Sequence, residues 1–275
     1  MKVIFNILLL LLSTNLIAQE NKKIEILNAD KTYANSNIHP DYWRLIGNVS
    51  FLHNNAIMTC DSAYHYTTEN KMEAFGNIKI NQGDSITLTG KTLTYFGLDN
   101  KADILGDVIL IDKQMTLRTK QVFYNLSTNI ASYPKQGNIT DNDKIINSKK
   151  GAYNSNIHSF IFEDSVVVTN EDYKILTDNM HYNTYNEVTY FFGPSLIISN
   201  KKTIYCENGW YNTKTDIAQF RENSYIKTKN YLLKGDSLYY NKNLQYGKAL
   251  SNVQLIDTIE NITVYGEIAE YFEAE

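Results

Sequence analysis

Six tyrosines, Tyr95, Tyr124, Tyr153, Tyr182, Tyr211 and Tyr240, stand 29 residues apart. His65 precedes the series by 30 residues and Tyr271 follows it by 31. Spacing this strict identifies one structural unit repeated about eight times, because stacked copies place equivalent residues at equal intervals. Four columns upstream of the tyrosine repeat with it. Seven residues before it the residue is aliphatic or Met: Met58, Leu88, Leu117, Ile146, Ile175, Ile204, Leu233 and Val264. Five before it the residue is small: Cys60, Gly90, Thr119, Ser148, Thr177, Cys206, Gly235 and Gly266. Four before it the residue is charged, as in Asp61, Lys91, Lys120, Lys149, Asp178, Glu207, Asp236 and Glu267. Two before it stand Ala63, Leu93, Val122, Gly151, Met180, Gly209, Leu238 and Ala269.

The aliphatic and small columns are two apart, so they share one face of a β-strand, as do the Ala/Leu and Tyr columns. Between the two pairs the phase slips by one residue. A strand that stays buried through such a slip must bend or bulge there. The small residue sits at the bend and the charged residue is turned outward. A second marker, Gly-Asn-Val or a degenerate copy, begins at 47, 76, 106, 137, 164, 194, 223 and 251, with less regular spacing. Each unit is therefore expected to supply two long strands, the second one bent. Polar turns such as Asn81-Gln82-Gly83-Asp84 and Gly97-Leu98-Asp99-Asn100 join them. Pro40, Pro134 and Pro194 fall near unit boundaries, where strand pairing can lapse. The 21 tyrosines and only 3 prolines suit a strand-rich chain.

Residues 1–19 read as a secretory signal peptide: Lys2, an apolar stretch from Val3 to Leu12, and a cleavage-like Ile17-Ala18-Gln19. The apolar run falls short of the ~20 residues of a comfortable membrane span, so an uncleaved anchor is the lesser alternative. With those residues removed, 25 bases face 30 acids, a formal charge of −5 without the basic bias of a nucleic-acid binder. Residues 20–275 are expected to form a single exported repeat domain. At ~4.8 Å per strand, two strands per unit give roughly 10 Å of rise per repeat and a rod on the order of 75–80 Å. Cys60 and Cys206 share a column five units apart, roughly 50 Å on that geometry, far beyond the ~7 Å a disulfide spans, and both thiols are expected to be free. His39, His53, His65, His158 and His181 do not cluster with cysteines or acids at metal spacing. No nucleophile elbow, phosphate loop or zinc-protease motif is present, and no enzymatic activity or cofactor is expected.

The pattern apolar-Gly-Asn-Val, then aliphatic-x-small-charged-x-apolar-x-Tyr, resembles the OstA-like family, which includes periplasmic lipopolysaccharide-transport bridge proteins of the LptA type. Leu45-Ile46-Gly47-Asn48-Val49, Ala74-Phe75-Gly76-Asn77-Ile78 and Thr59-Cys60-Asp61-Ser62-Ala63-Tyr64 carry the resemblance best. Leu27-Asn28-Ala29-Asp30-Lys31-Thr32-Tyr33 keeps the family's Ala-Asp-Lys form and is expected to open the first strand. The resemblance covers about residues 24–272, although the C-terminal units lose the Gly-Asn-Val signature. It implies an all-β, elongated, open β-jellyroll whose apolar trough takes acyl chains of lipopolysaccharide or a similar amphiphile. It also implies partner proteins of lipopolysaccharide transport at the inner and outer membranes, and head-to-tail self-association through edge strands.

On this reading the aliphatic column from Met58 to Val264 lines the groove. The same residues serve equally as core filler in a closed β-solenoid, which makes an envelope scaffold or adhesin without lipid the alternative function. Lys91, Lys120 and Lys149 form a basic run that could meet lipid phosphates, but their phase turns them outward. The acids Asp178, Glu207 and Asp236 are likewise expected to be solvated, and the Tyr column is expected to be a packing ladder.

Overall fold

In the computed structural model, residues 23–34, 41–83, 86–113 and 115–272 are described; the signal-peptide segment 1–19 and Pro40 lie outside them. The described residues form 20 antiparallel strands joined in one hydrogen-bonded sheet. Period-2 alternation dictates this local structure. In Ile86–Phe96, for example, Ile86, Leu88, Leu93 and Tyr95 turn inward and are buried, while Lys91 at the phase slip is exposed. Strands follow one another as hairpins, each pairing with its sequence neighbours, from Trp43–His53 with Ala56–Tyr66 to Tyr246–Asp257 with Ile262–Phe272. The sheet folds along a line of bends, so that each strand contributes one half to each of two facing layers and the apolar core lies between them.

Two kinds of turn alternate. At the end of one layer the turns are short: Asn54 and Asn55, between His53 and Ala56, both adopt positive φ (46° and 64°), the geometry of a two-residue hairpin turn with the twist of its strands. At the end of the other layer, four-residue turns follow the Tyr column. An Asn directly follows five of the tyrosines, and here it finds its reason. Asn125, Asn154, Asn183, Asn212 and Asn241 each accept, through Oδ1, backbone N–H bonds from residues two or three further on. These side chains close the turn from within, and backbone bonds such as Ser155 N–H to Asn129 O tie each turn to the one before it.

The bend departs from the sequence expectation in two respects. First, both strands of a unit bend, not only the second. In Trp43–His53, Gly47 (φ 78°) and Asn48 (φ 44°) form a left-handed pair that shifts the register between Ile46 and Val49. Gly pays no steric penalty there and Asn little, because its short side chain finds a local partner. That partner is Asp30, the charged residue one strand back, which accepts from Asn48 Nδ2 at 2.9 Å. The same bond recurs between Asn77 and Asp61, Asn223 and Glu207, and Asn252 and Asp236. Beside Lys91 an aspartate, Asp107, replaces the Asn and pairs with it, and Lys149 pairs with Asp164, which stands in the Gly position of its bend.

Second, the marker copies shift in three units. The residue just after the bend pairs with the small column: Val49 with Cys60, Ile78 with Gly90, Val108 with Thr119, Gly137 with Ser148, Val166 with Thr177, Ser195 with Cys206, Ser224 with Gly235 and Val253 with Gly266. Ile139, Leu196 and Tyr225, the expected third members, lie one or two residues too late. With Gly137, Ser195 and Ser224 in their place the interval is 29 throughout, apart from one of 30. Cross-strand pairing fixes the unit, and a glycine need not mark it.

Pro134 falls where a strand breaks into Ile130–Tyr133 and Gly137–Asp141, and Pro194 sits inside Val188–Ser199. Both occupy the bend itself, where residues leave the ladder and a missing N–H costs nothing. Glu25–Asn28 and Lys31–Tyr33 together make the first strand, broken at Ala29-Asp30. Cys60 and Cys206 are free and buried, and burial pushes both thiols up to about 12. Among the described residues no helix is long and apolar enough to cross a membrane.

Candidate functional site

Two apolar files run through the interior of one layer, pair by pair. Met58 opposes Phe51, Leu88 opposes Ile80, Leu117 opposes Leu110, Ile146 opposes Ile139, Ile175 opposes Val168, Ile204 opposes Ile197, Leu233 opposes Ile226 and Val264 opposes Leu255. Five of the eight predicted groove residues, Met58 to Ile175, are at most 2% exposed and Ile204 is 8% exposed. Leu233 is half-buried and Val264 is 57% exposed. In the first six units these side chains are therefore enclosed by the fold; only the last two present them to solvent.

The Tyr column faces them from the other layer. Tyr95, Tyr124, Tyr153 and Tyr182 are fully buried, His65 nearly so, and Tyr211, Tyr240 and Tyr271 progressively less. The expected ladder of neighbouring rings is not what fixes these tyrosines. Each buried hydroxyl reaches across the mouth of the jellyroll to the far end of the opposite layer. Tyr95 Oη lies 2.6 Å from His53 Nδ1, and Tyr124 Oη donates to Gln82 Oε1 at 2.6 Å. Tyr153 Oη donates to Asp112 Oδ2 at 2.7 Å and Tyr182 Oη to Asp141 Oδ2 at 2.8 Å. Gln82 adds bonds to Leu126 O and Asn129 Oδ1 on the facing turn, both 2.9 Å.

These contacts form a seam that closes the mouth. Burial pushes the pKa of all four hydroxyls up, and for Tyr153 and Tyr182 the adjacent aspartates push it further, so all four keep their protons at neutral pH. At the end of the seam Lys144, 7% exposed, lies 3.3 Å from Tyr182 Oη, 3.5 Å from Glu187 and 3.4 Å from Thr213. Asp112 Oδ1 and His65 Nδ1 are buried with no hydrogen-bond partner. The partners His53, Gln82, Asp112 and Asp141 were not recognised as a set in the sequence. Their signal was available as intervals of 29, 30 and 29 residues, each four places after the bend residue.

The outer face holds the charges. Lys91, Lys120 and Lys149 keep 70%, 79% and 65% of their side chains exposed and pair with Asp107 or Asp164, away from the interior. The two lysines beside Asp107 hold its carboxyl down at about 2. Exposed pairs of this kind contribute at most about 1 kcal/mol each. Asp178 and Asp236 are exposed, and Glu207 is half-buried and bonded to Tyr205 and Asn223. Among the described residues no group of three or more His, Cys, Asp or Glu is placed to hold a metal ion.

A family model described as OstA-like protein matches residues 21–178 and 174–236. Among curated proteins none matches the sequence. A similar solved structure is LptH from Pseudomonas aeruginosa, described as the LptA-homologous periplasmic component of the conserved lipopolysaccharide transport device. The two are 13% identical, the match covers 48% of this chain and 95% of that one, and the TM-score is 0.37.

Proposed function

This chain belongs to the OstA-like protein family, and from that premise we propose that it is a non-enzymatic periplasmic carrier in lipopolysaccharide transport to the outer membrane. Acyl chains would lie against its apolar interior, in contact with members of the column Met58, Leu88, Leu117, Ile146, Ile175, Ile204, Leu233 and Val264. The observation that carries this reading is the pair of apolar files that faces the opposite layer without a charged interruption and becomes solvent-accessible at Leu233 and Val264. Burial of apolar surface, at ~25 cal/mol per Å², is sufficient drive for an acyl chain that finds such a surface.

The test is a titration with fluorescent lipopolysaccharide in detergent-free buffer. Saturable binding, competed by unlabelled lipopolysaccharide, is the expected result; its absence removes the carrier function. The complete enclosure of Met58 to Ile175 favours a second reading, a structural β-solenoid of the envelope without a lipid ligand, and the same titration separates the two.

The bridge aspect rests on the end strand. Among the described residues Ile262–Phe272 pairs only with Tyr246–Asp257, which leaves one edge of its main-chain donors and acceptors available to a further strand. We expect head-to-tail association through this edge, and docking there of transport proteins from either membrane. Light scattering over a dilution series should give a mass that rises with concentration. A strict monomer at the highest concentration counts against bridging.

A further inference from the structure

One place on the outer surface departs twice from the pattern of the other units. The first departure is at the bend. Asp30, Asp61, Glu207 and Asp236 each accept a side-chain N–H from the Asn of the following strand. For Asp178 the corresponding residue is Pro194, which precedes Ser195 as Asn48 precedes Val49. A proline side chain has no donor. Among the described residues Asp178 has neither a hydrogen bond nor an ion pair.

The second departure lies in the row of outward side chains beside the bend, on the layer that carries the aliphatic column. In the earlier units this row is polar except for Ile109, from Ser50 and Thr59 to Asn138 and Asn147. It then turns apolar over five consecutive strands: Val167 opposes Leu176, Leu176 opposes Leu196, Leu196 opposes Tyr205 and Tyr205 opposes Tyr225. Lys234 and Gln254 make it polar again. All five side chains point away from the core and are half-buried. The rings of Tyr205 and Tyr225 are stacked, with centroids 5.3 Å apart and planes 14° from parallel.

The two departures coincide in space. Val167, Leu176, Pro194, Leu196 and Tyr205 line an open hollow of about 340 Å³, and Asp178 is the one charged residue beside them. The hydroxyls of Thr177 and Ser195, also at the hollow, satisfy each other at 2.8 Å. The unpaired carboxylate is thus the polar handle of an otherwise apolar recess. Such a surface is complementary in charge and shape to an apolar side chain with a cation next to it. The apolar row spans four strand steps, roughly 20 Å. That is the length of about six residues of extended chain.

We propose that this face docks an extended segment of a partner protein in which apolar residues alternate with Lys or Arg. One apolar side chain fills the hollow beside Pro194, the neighbouring cation pairs with Asp178, and the Tyr205–Tyr225 pair receives the next apolar residue. The site lies on the outer surface of the fold. It is therefore independent of what occupies the interior and of strand pairing at the ends.

The probe is a fluorescein-labelled peptide, Leu-Arg-Leu-Arg-Leu-Arg, titrated with the full mature chain and followed by anisotropy, with Leu-Glu-Leu-Glu-Leu-Glu as its control. The basic peptide should bind saturably and at least about tenfold tighter than the acidic one. L196K and D178K, both at outward positions, should each weaken it about five- to tenfold. T89K adds the same charge as L196K to the same row, in the unit 87 residues before Leu176, and should leave the affinity unchanged. P194N, which returns the donor that the other bends carry, should weaken the basic peptide about two- to fivefold. Equal binding of the two peptides, or equal effects of L196K and T89K, overturns the proposal; unchanged affinity in both D178K and P194N overturns the role of the carboxylate. If L196K lowers the mass seen by light scattering, a second copy of the chain covers this face, and the assignment to a different partner falls.

Discussion

Tyr182→Ala is expected to lower the free energy of unfolding by about 3–5 kcal/mol, and Tyr182→Phe by about 1–3 kcal/mol. The first figure is the cost of removing a fully buried aromatic ring. The ring lies in Tyr173–Asn183, packed between its neighbours in the Tyr column's layer. The second isolates the hydroxyl, which donates to Asp141 at 2.8 Å and lies 3.3 Å from Lys144 Nζ. Phe keeps the ring and removes the donor to Asp141 Oδ2, while Asn142 Nδ2 still donates to Oδ1 at 3.4 Å, and an acceptor atom that loses its partner inside a protein carries a desolvation cost. Tyr271→Phe, in the same column but 45% exposed, should change stability by no more than about 0.5 kcal/mol. Urea unfolding followed by circular dichroism measures all three. A neutral Tyr182→Phe would mean that the bond across the mouth is absent in solution.

Two glycines of the repeat should respond in opposite senses to the same substitution. Gly209 lies between Phe191 and Phe220 on its flanking strands. A Cβ there would meet Gln219 O at 2.6 Å and Phe220 Cα at 3.2 Å. Both are main-chain atoms of a paired strand and cannot rotate away. Gly209→Ala is therefore expected to cost about 2–3 kcal/mol, with no rescue from trimming the Phe220 ring. Gly235 has no neighbour closer than 3.4 Å to the same added atom and no positive φ. Gly235→Ala should be neutral or stabilise by up to about 1 kcal/mol, through loss of freedom in the unfolded chain. The pair of melting temperatures decides the matter: equal shifts would mean that the close strand approach at Gly209 is not kept.

The Tyr, aliphatic and small columns were legible because buried positions restrict residue type, and restriction at a fixed interval shows in a single sequence. The bend was read from the phase slip of the Tyr strand alone; the bend of the other strand was missed, and its Gly-Asn-Val marker lost register in the units where Gln136, Gly193 or Glu222 takes up the left-handed backbone. Register there is dictated by the partner strand, which a local motif does not contain. The seam escaped notice for a related reason. His53, Gln82, Asp112 and Asp141 share no residue type; what they share is an acceptor within reach of a hydroxyl 41 or 42 residues away. The Asn after each Tyr was visible as a repeat, but its task of closing the turn depends on N–H groups that carry no sequence signature. The exposure of Leu233 and Val264 was equally hidden, since their column fixes the direction of a side chain and leaves open what covers it.

Because strands adjacent in space are adjacent along the chain, the length of this molecule is quantised. Excision or duplication of 29 residues between equivalent bends would leave every surviving hairpin with a partner of the same shape and would change the rod by one step of about 10 Å. A single residue inserted inside a strand has no such solution, because with a side-chain period of two it would turn charged positions into the core as far as the next turn. Reach can thus change by whole steps while the pattern inside each step stays the same.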